Sequence, residues 1–351
     1  MAVYTTIDDP SAHFTILLWT SNNSDDRALT NDANAGDFQP DFIWAKSRDA
    51  SSDHFLHDTS RGITKRLESN DTTTEANNSS DVKSVQSNGF TAGNNAGING
   101  GSATQVAWQW KANGGTRSTF TESGNNMGGG YQANATAGFS IVDYVGTGSA
   151  GYFSHGLGAA PEFMLFKNRS YAGNWRAWSH KMSGVTYRMN LNTNAAESSG
   201  WDSWTVGSST VTLGTDGSVN RDGDNHIAYC FRSIQGYSKF GSYVGNGLAD
   251  GPFVYTGFKP AYVMLKKTTS TGSHLIFDNK RPGYNGTGHR LYANDTDGED
   301  TDTGDSVDLL SNGFKVRGGS SSSNADGATF VYMAFAEHPF VSSKGVPCTA
   351  R

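Results

Sequence analysis

The chain has 351 residues and a net charge of −6, and 43 of its residues are glycine, above the roughly 7% usual for globular chains. Its scattered Lys and Arg disfavour a nucleic-acid partner, which needs a concentrated basic face, and no run approaches the ~18 apolar residues of a membrane span. Only Cys230 and Cys348 are present, which excludes a disulfide scaffold and points to synthesis in a reducing compartment.

In chain order, the first segments are "HFTILLWTSN" (13–22), "FQPDFIWAKSR" (38–48) and "DHFLHDTSRG" (53–62). Arg66-Leu67, "VQSNGFTAG" (85–93) and "QVAWQW" (105–110) follow. Each is short, rich in β-branched and aromatic residues, and bounded by Gly, Asn or Ser, so each reads as a strand. The start, "MAVYTTIDDPSAHF", has no basic leader and is expected to carry no signal peptide. The stretch 113–136 is glycine-rich with few apolar residues and reads as a linker.

The same phrases then recur. "GFSIVDYVGTG" (138–148) and "YSKFGSYVGNG" (237–247) repeat the opening strand, and "AAPEFMLFKNR" (159–169) and "GFKPAYVMLKK" (257–267) repeat the second. In all three copies of the second phrase, Pro40, Pro161 and Pro260 stand six residues before Lys46, Lys167 and, for the third, Lys266. Arg66, Arg188 and Arg290 are each followed four residues later by Asn70, Asn192 and Asn294, and nine residues later by Glu75, Glu197 and Glu299. "HIAYCF" (226–231) and "FVYMAF" (330–335) close the later copies. A shared order of this kind marks an internal repeat. The fold predicted is all-β: three tandem antiparallel β-sandwich repeats, jelly-roll-like, at 1–112, 137–236 and 237–341, with a C-terminal tail at 342–351. The repeats are free to pack on one another pseudo-symmetrically. "AYVML" and "EFMLF" read as fully buried strands; "QVAWQW" alternates and is expected to face solvent on one side. Asn-Gly pairs at 88–89, 246–247, 285–286 and 312–313 mark tight turns.

Chemistry-bearing patterns are sparse. No H-E-x-x-H or G-x-S-x-G occurs, so no catalytic residue and no cofactor is expected. His54 and His57 lie three apart on a strand-like segment, which sends them to opposite faces. Asp295, Asp297 and Glu299 offer hard oxygen atoms at alternating positions and are a calcium candidate; the alternative is a solvated acidic loop, since the flanking helices of a calcium loop are absent. Lys46 and Lys266 each precede an aspartate, Asp58 and Asp278, by twelve residues, which suggests a cross-strand ion pair. Trp201 and Trp204 stand among small polar residues and either stack on a glycan or fill the core. The glutamates that recur once per repeat suit a structural role better than a glycosidase pair.

Four stretches, "YTTIDDPSAHF", "HGLGAAPEFMLFKNRS", "GYSKFGSYVGNGLADGPFVYTGFKPAYVMLKK" and "FVYMAFAEHPFVSSKGVP", resemble tail-associated virion proteins of bacteriophages, chiefly marine ones. The resemblance spans nearly the whole chain. It implies a non-enzymatic virion component, a tail or fibre protein assembled in the bacterial cytoplasm as a homo-oligomer, with a capsid decoration or head fibre as the alternative position. Appendages are usually symmetric, so a trimer is favoured. A host-surface glycan is the expected partner outside the particle, with a lectin or polysaccharide depolymerase as the further alternative.

Overall fold

The computed structural model describes residues 4–32, 37–202, 204–282, 285–286, 288–302 and 304–348. Ser203 between the two tryptophans, Thr303 of the acidic loop and residues 349–351 of the tail lie outside the described residues. The first unit supplies β1 (Phe14–Thr20), β2 (Arg27–Thr30), β3 (Phe42–Ser47), β4 (Phe55–Asp58), β5 (Lys65–Glu68), β6 (Ala76–Asn77), β7 (Val82–Gln86), β8 (Gly89–Ala92) and β9 (Thr104–Trp110). The second supplies β10 (Ser118–Phe120), β11 (Gly129–Asn134), β12 (Phe139–Val145), β13 (Gly151–Ser154), β14 (Phe163–Asn168), β15 (Arg176–Ser179), β16 (Met189–Asn190), β17 (Thr205–Val206), β18 (Thr210–Leu213) and β19 (Asn225–Phe231). The third supplies β20 (Ser238–Val244), β21 (Asp250–Tyr255), β22 (Phe258–Lys267), β23 (Leu275–Asp278), β24 (Leu291–Tyr292), β25 (Ser306–Leu310), β26 (Gly313–Arg317) and β27 (Thr329–Pro339). Among the described residues the helical turns are Pro10–Ala12 and α1 (Gly217–Asn220).

The strand orders show one topology written three times. The large sheets run β1-β9-β3-β4-β5-β6, then β10-β11-β12-β19-β14-β15-β16, then β20-β27-β22-β23-β24. The small sheets run β2-β8-β7, β13-β18-β17 and β21-β26-β25. The closing strand lies between β1 and β3 in the first unit, between β12 and β14 in the second and between β20 and β22 in the third, so both of its edges are paired. The faces of β9 are covered as well, Ala107 by the core against the small sheet and Val106, Trp108 and Trp110 by a core shared between units, so β9 is buried from Gln105 to Trp110, where the alternating pattern suggested one wet face. Its two glutamines are held by side-chain bonds from their amide nitrogens, Gln105 Nε2 to Ser21 Oγ at 3.1 Å and Gln109 Nε2 to Asn31 Oδ1 at 2.8 Å, while their amide oxygens are buried without a partner. Pro260 sits in β22 at a register shift against β27, where a missing N–H costs no ladder bond. Gly89 and Gly313, after their asparagines, have a common reason: a Cβ at either would lie 2.1 Å from the carbonyl oxygen of Leu29 or Val254 on the neighbouring strand.

The predicted linker does not behave as one. Residues 118–120 and 129–134 form β10 and β11 and widen the second large sheet. Its glycines at 129 and 130 serve close packing rather than freedom: a Cβ at Gly129 would fall 2.1 Å from Asp143 O.

The outer face of each large sheet meets its small sheet. Ile43, Phe55, Val82 and Phe90 fill that space in the first unit. Val263, Phe277, Val307 and Phe314 fill it in the third. The inner faces of all three large sheets share one further core. At its centre stand Trp110, Phe231 and Phe335, which occupy the same place in the three closing strands. Their ring centroids are 6.3, 6.0 and 5.6 Å apart, a nearly equilateral triangle that marks a pseudo-threefold axis. Aromatic contacts of this kind contribute about 0.5–1.5 kcal/mol each beyond their area. The chain is therefore a closed ring of three units rather than a string of beads. Its start seals the ring: Tyr4 Oη donates to Gly257 O at 2.7 Å, and Ser343 N donates to Asp8 Oδ1 at 2.6 Å.

Candidate functional site

The recurring polar residues gather at the three seams between units, and each seam is built to one plan. The amide six residues past each phrase lysine donates to the carbonyl two residues past an asparagine of the preceding unit. These bonds are Ser52 to Thr296 at 2.8 Å, Gly173 to Thr72 at 2.9 Å and Gly272 to Asn194 at 2.8 Å. The recurring glutamates return the favour through their amides: Glu299 to Arg48 O at 2.6 Å, Glu75 to Arg169 O at 3.2 Å and Glu197 to Thr268 O at 2.9 Å. The third unit thus contacts the first as the first contacts the second.

The lysines point into the same seams. Lys46 Nζ donates to Thr296 O at 3.1 Å, Lys167 Nζ to Thr72 O at 2.8 Å and Lys266 Nζ to Asn194 O at 3.0 Å. Burial pushes all three ammonium groups down to about 8. The expected Lys–Asp pair is not formed. Asp58 lies opposite Phe42 and Asp278 opposite Tyr262 in the ladders, four residues along the strand from the lysine in each case. Each aspartate instead binds a buried arginine three residues on, Arg61 at 2.5 Å and Arg281 at 2.7 Å.

A ring N–H crosses each seam as well. Trp44 Nε1 donates to His54 Nδ1 at 2.9 Å, which leaves the proton on His54 Nε2 to reach Tyr292 O at 2.9 Å. His274 Nε2 meets Asn190 O at 3.0 Å, and Trp175 Nε1 donates to Glu68 O at 2.7 Å. Burial, with Lys46 beside it, holds the His54 imidazole well below its ordinary range, so it is a neutral donor. His57 is buried on β4, with Nδ1 at 2.8 Å from Ile63 O. The two histidines share no ligand.

The seams differ in charge. Between units one and two, Glu75 takes both Arg169 Nε at 2.8 Å and Nη2 at 2.9 Å, with Arg61 Nη1 at 3.2 Å, and Tyr229 Oη donates to Asp58 Oδ2 at 2.6 Å. Between three and one, Glu299 takes Arg48 at 2.9 and 3.0 Å and Arg281 at 3.2 Å, and Trp108 Nε1 donates to Asp278 Oδ2 at 3.1 Å. Burial alone would raise both glutamates; the arginines overcome it and hold each near a value of about 2. Between two and three the equivalent positions are Ser179, Met182, Thr268 and Met333, and Glu197 turns to Ser183 Oγ of its own unit.

This settles where the candidate residues lie. Glu299 is the hub of a seam, and His289 Nδ1 also approaches it at 2.5 Å, so its oxygens are already engaged by side chains of the chain itself. Asp295 Oδ1 accepts from Thr296 N at 2.7 Å. Asp297 shares a polar cleft with them, but among the described residues no group of three or more His, Cys, Asp or Glu could hold a metal ion. Trp201 and Trp204 are both buried. Their rings stack on each other at 4.0 Å and 18°, with Phe166 edge-on to Trp204 at 5.4 Å. They fill the second unit's core, and the glycan-stacking expectation finds no free ring face here. The arginines of the seams were missed from sequence. Their signal was present: Arg48 and Arg169 stand two residues past the phrase lysine in the units whose seam partner carries an Arg-bound glutamate, and Thr268 replaces them where it does not.

Fold and seams define a class, an all-β ring of three like units closed by buried cross-unit bonds. A family described as a domain of unknown function (DUF7483) matches residues 9–339, and the chain belongs to it. No curated protein matches the chain. No helix among the described residues is long and apolar enough to cross a membrane.

Proposed function

We propose that the chain is a non-enzymatic structural protein of a bacteriophage virion, placed in a tail or appendage and engaged in host attachment. Each unit is read as a jelly-roll-like sandwich. The observation that carries the proposal is the use made of the recurring charged residues: Lys46, Lys167, Lys266, Glu75 and Glu299 all bind main chain or charge of a neighbouring unit. Such residues build a rigid body rather than a reaction centre. The resemblance to phage virion proteins supplies the setting, and homo-oligomeric assembly, favoured as a trimer, and contact with other virion proteins follow from it. Mass spectrometry of purified particles is expected to find this chain at stoichiometric copy number. Its presence only in the soluble lysate of infected cells would overturn the reading. Immunogold labelling on the capsid rather than the tail would select a decoration or head fibre.

A further inference from the structure

We propose that a groove on the second unit binds an acidic sugar, with the carboxylate held by Arg176 and the sugar ring walled by Tyr171. The groove has a volume of about 620 Å³ and is lined by Asn168, Tyr171, Asn174, Arg176, Ser218 and Arg221, among others. That volume lies within the ~300–1,000 Å³ of small-ligand sites.

The repeat shows what is unusual here. Arg176 stands nine residues past Lys167. The same place past Lys46 and Lys266 holds Phe55 and Leu275, both buried in the sandwich cores of their units. The second unit has thus replaced a core side chain by a guanidinium, a costly exchange for stability alone. Arg176 makes no ion pair among the described residues. Its Nε donates to Ser218 Oγ at 2.9 Å and its Nη1 to Asn190 Oδ1. Burial, then repulsion from Arg188, pushes its pKa down, and Asp216 only partly offsets this. Of the other charges at the groove, Arg188 faces Asp216 at 3.7 Å and Arg221 faces Asp224 at 3.7 Å. Matching these pairs leaves Arg176 as the unmatched cation.

The remaining lining fits a sugar better than a bare anion. Tyr171 is 54% exposed, and the Arg221 guanidinium sits 4.0 Å over its ring, which steadies it as a flat wall. The first and third units carry Ala50 and Ser270 at this place. Asn174 adds an amide group suited to a sugar hydroxyl, while Asn168 Nδ2 is held by Asp224 and Ser218 Oγ by Asp216, which fixes that side of the groove. A planar guanidinium binds a carboxylate through two parallel bonds.

The proposal rests on the attachment reading and gives it a ligand class. Particle composition tests that reading and the binding measurement tests this one, so either can fail alone. Calorimetric titration of the full chain with trigalacturonate and sialyllactose is the test, with maltotriose, lactose and inorganic phosphate as controls. At least one acidic sugar is expected to bind, and each control at least ~tenfold more weakly. R176L, which installs the third unit's residue, is expected to weaken acidic-sugar binding ~tenfold or more without lowering thermal stability. If R176L does not fold, R176K serves, since it keeps the charge and loses the fork. Y171A is expected to weaken binding severalfold. No binding of either acidic sugar at millimolar concentration, equal binding of a neutral control, equal binding of phosphate, or unchanged affinity in the Arg176 variant would each overturn the proposal.

Discussion

The seam between units one and two and the seam between units two and three share their backbone bonds and differ in their charges. Both carry the amide pair and the lysine-to-carbonyl bond at 2.8–3.2 Å. Only the first adds Asp58, Arg61, Glu75 and Arg169. One seam is closed with a buried ionic network and the other with Ser179, Met182, Thr268 and Met333, in the same geometry. The main chain, not the charge, therefore sets how the units meet. The charges act as a second layer, and buried ionic layers often add little net stability over apolar ones while being costly to break in part.

That contrast can be broken most severely at Asp58. Asp58→Ala strands the buried Arg61 guanidinium and is expected to cost about 3–5 kcal/mol. Ser179→Ala at the matching place of the uncharged seam is expected to cost under about 1 kcal/mol. Urea unfolding measures both, and equal losses would refute the distinction. The axis should show no such difference between units: Trp110→Ala, Phe231→Ala and Phe335→Ala are each expected to cost about 3–5 kcal/mol. A near-neutral result for any one of them would remove it from the shared core.

Replacing the network as a whole sharpens the point. The combination D58S, R61M, R169T and Y229M copies the uncharged seam into the charged one, with E75Q added to neutralise the glutamate left without its arginines, and is expected to change stability at pH 7 by less than about 2 kcal/mol. A loss as large as that of Asp58→Ala alone would mean the charges are indispensable to the geometry.

Acid is the mildest probe. Glu75 and Glu299 hold folded values of about 2, below the ordinary 4.5. Their stabilisation is fully present above pH 4.5 and is lost as pH falls towards 2. Melting temperature followed from pH 6 to pH 2.5 should fall less steeply in E75Q and in E299Q than in the wild type. Identical slopes in all three would show that the seams do not carry this titration.

Much of the fold was legible because repetition multiplies weak signals. One proline-to-lysine phrase is only a strand; three of them, each with Asn and Glu at fixed distances downstream, define a unit. What single-strand patterns could not show is depth. "QVAWQW" alternates like a half-wet strand, yet its glutamines are buried because they bond Ser21 and Asn31 from other segments. The glycines at 129–130 looked like linker because composition does not distinguish a residue that needs freedom from one that lacks room. The lysines were misassigned to aspartates of their own unit because sequence spacing shows nothing across a seam: Lys46 and Thr296 lie 250 residues apart. Trp201 and Trp204 sit among serines and glycines, but the two rings cover each other.

Native-state hydrogen exchange at single-amide resolution tests cyclic closure most directly, read at Glu75, Glu197 and Glu299. A ring predicts that all three amides, although they lie in loops, exchange slowly and only through opening of the whole molecule. Rapid exchange of the Glu299 amide beside protected Glu75 and Glu197 would show an open row of units whose third member does not return to the first.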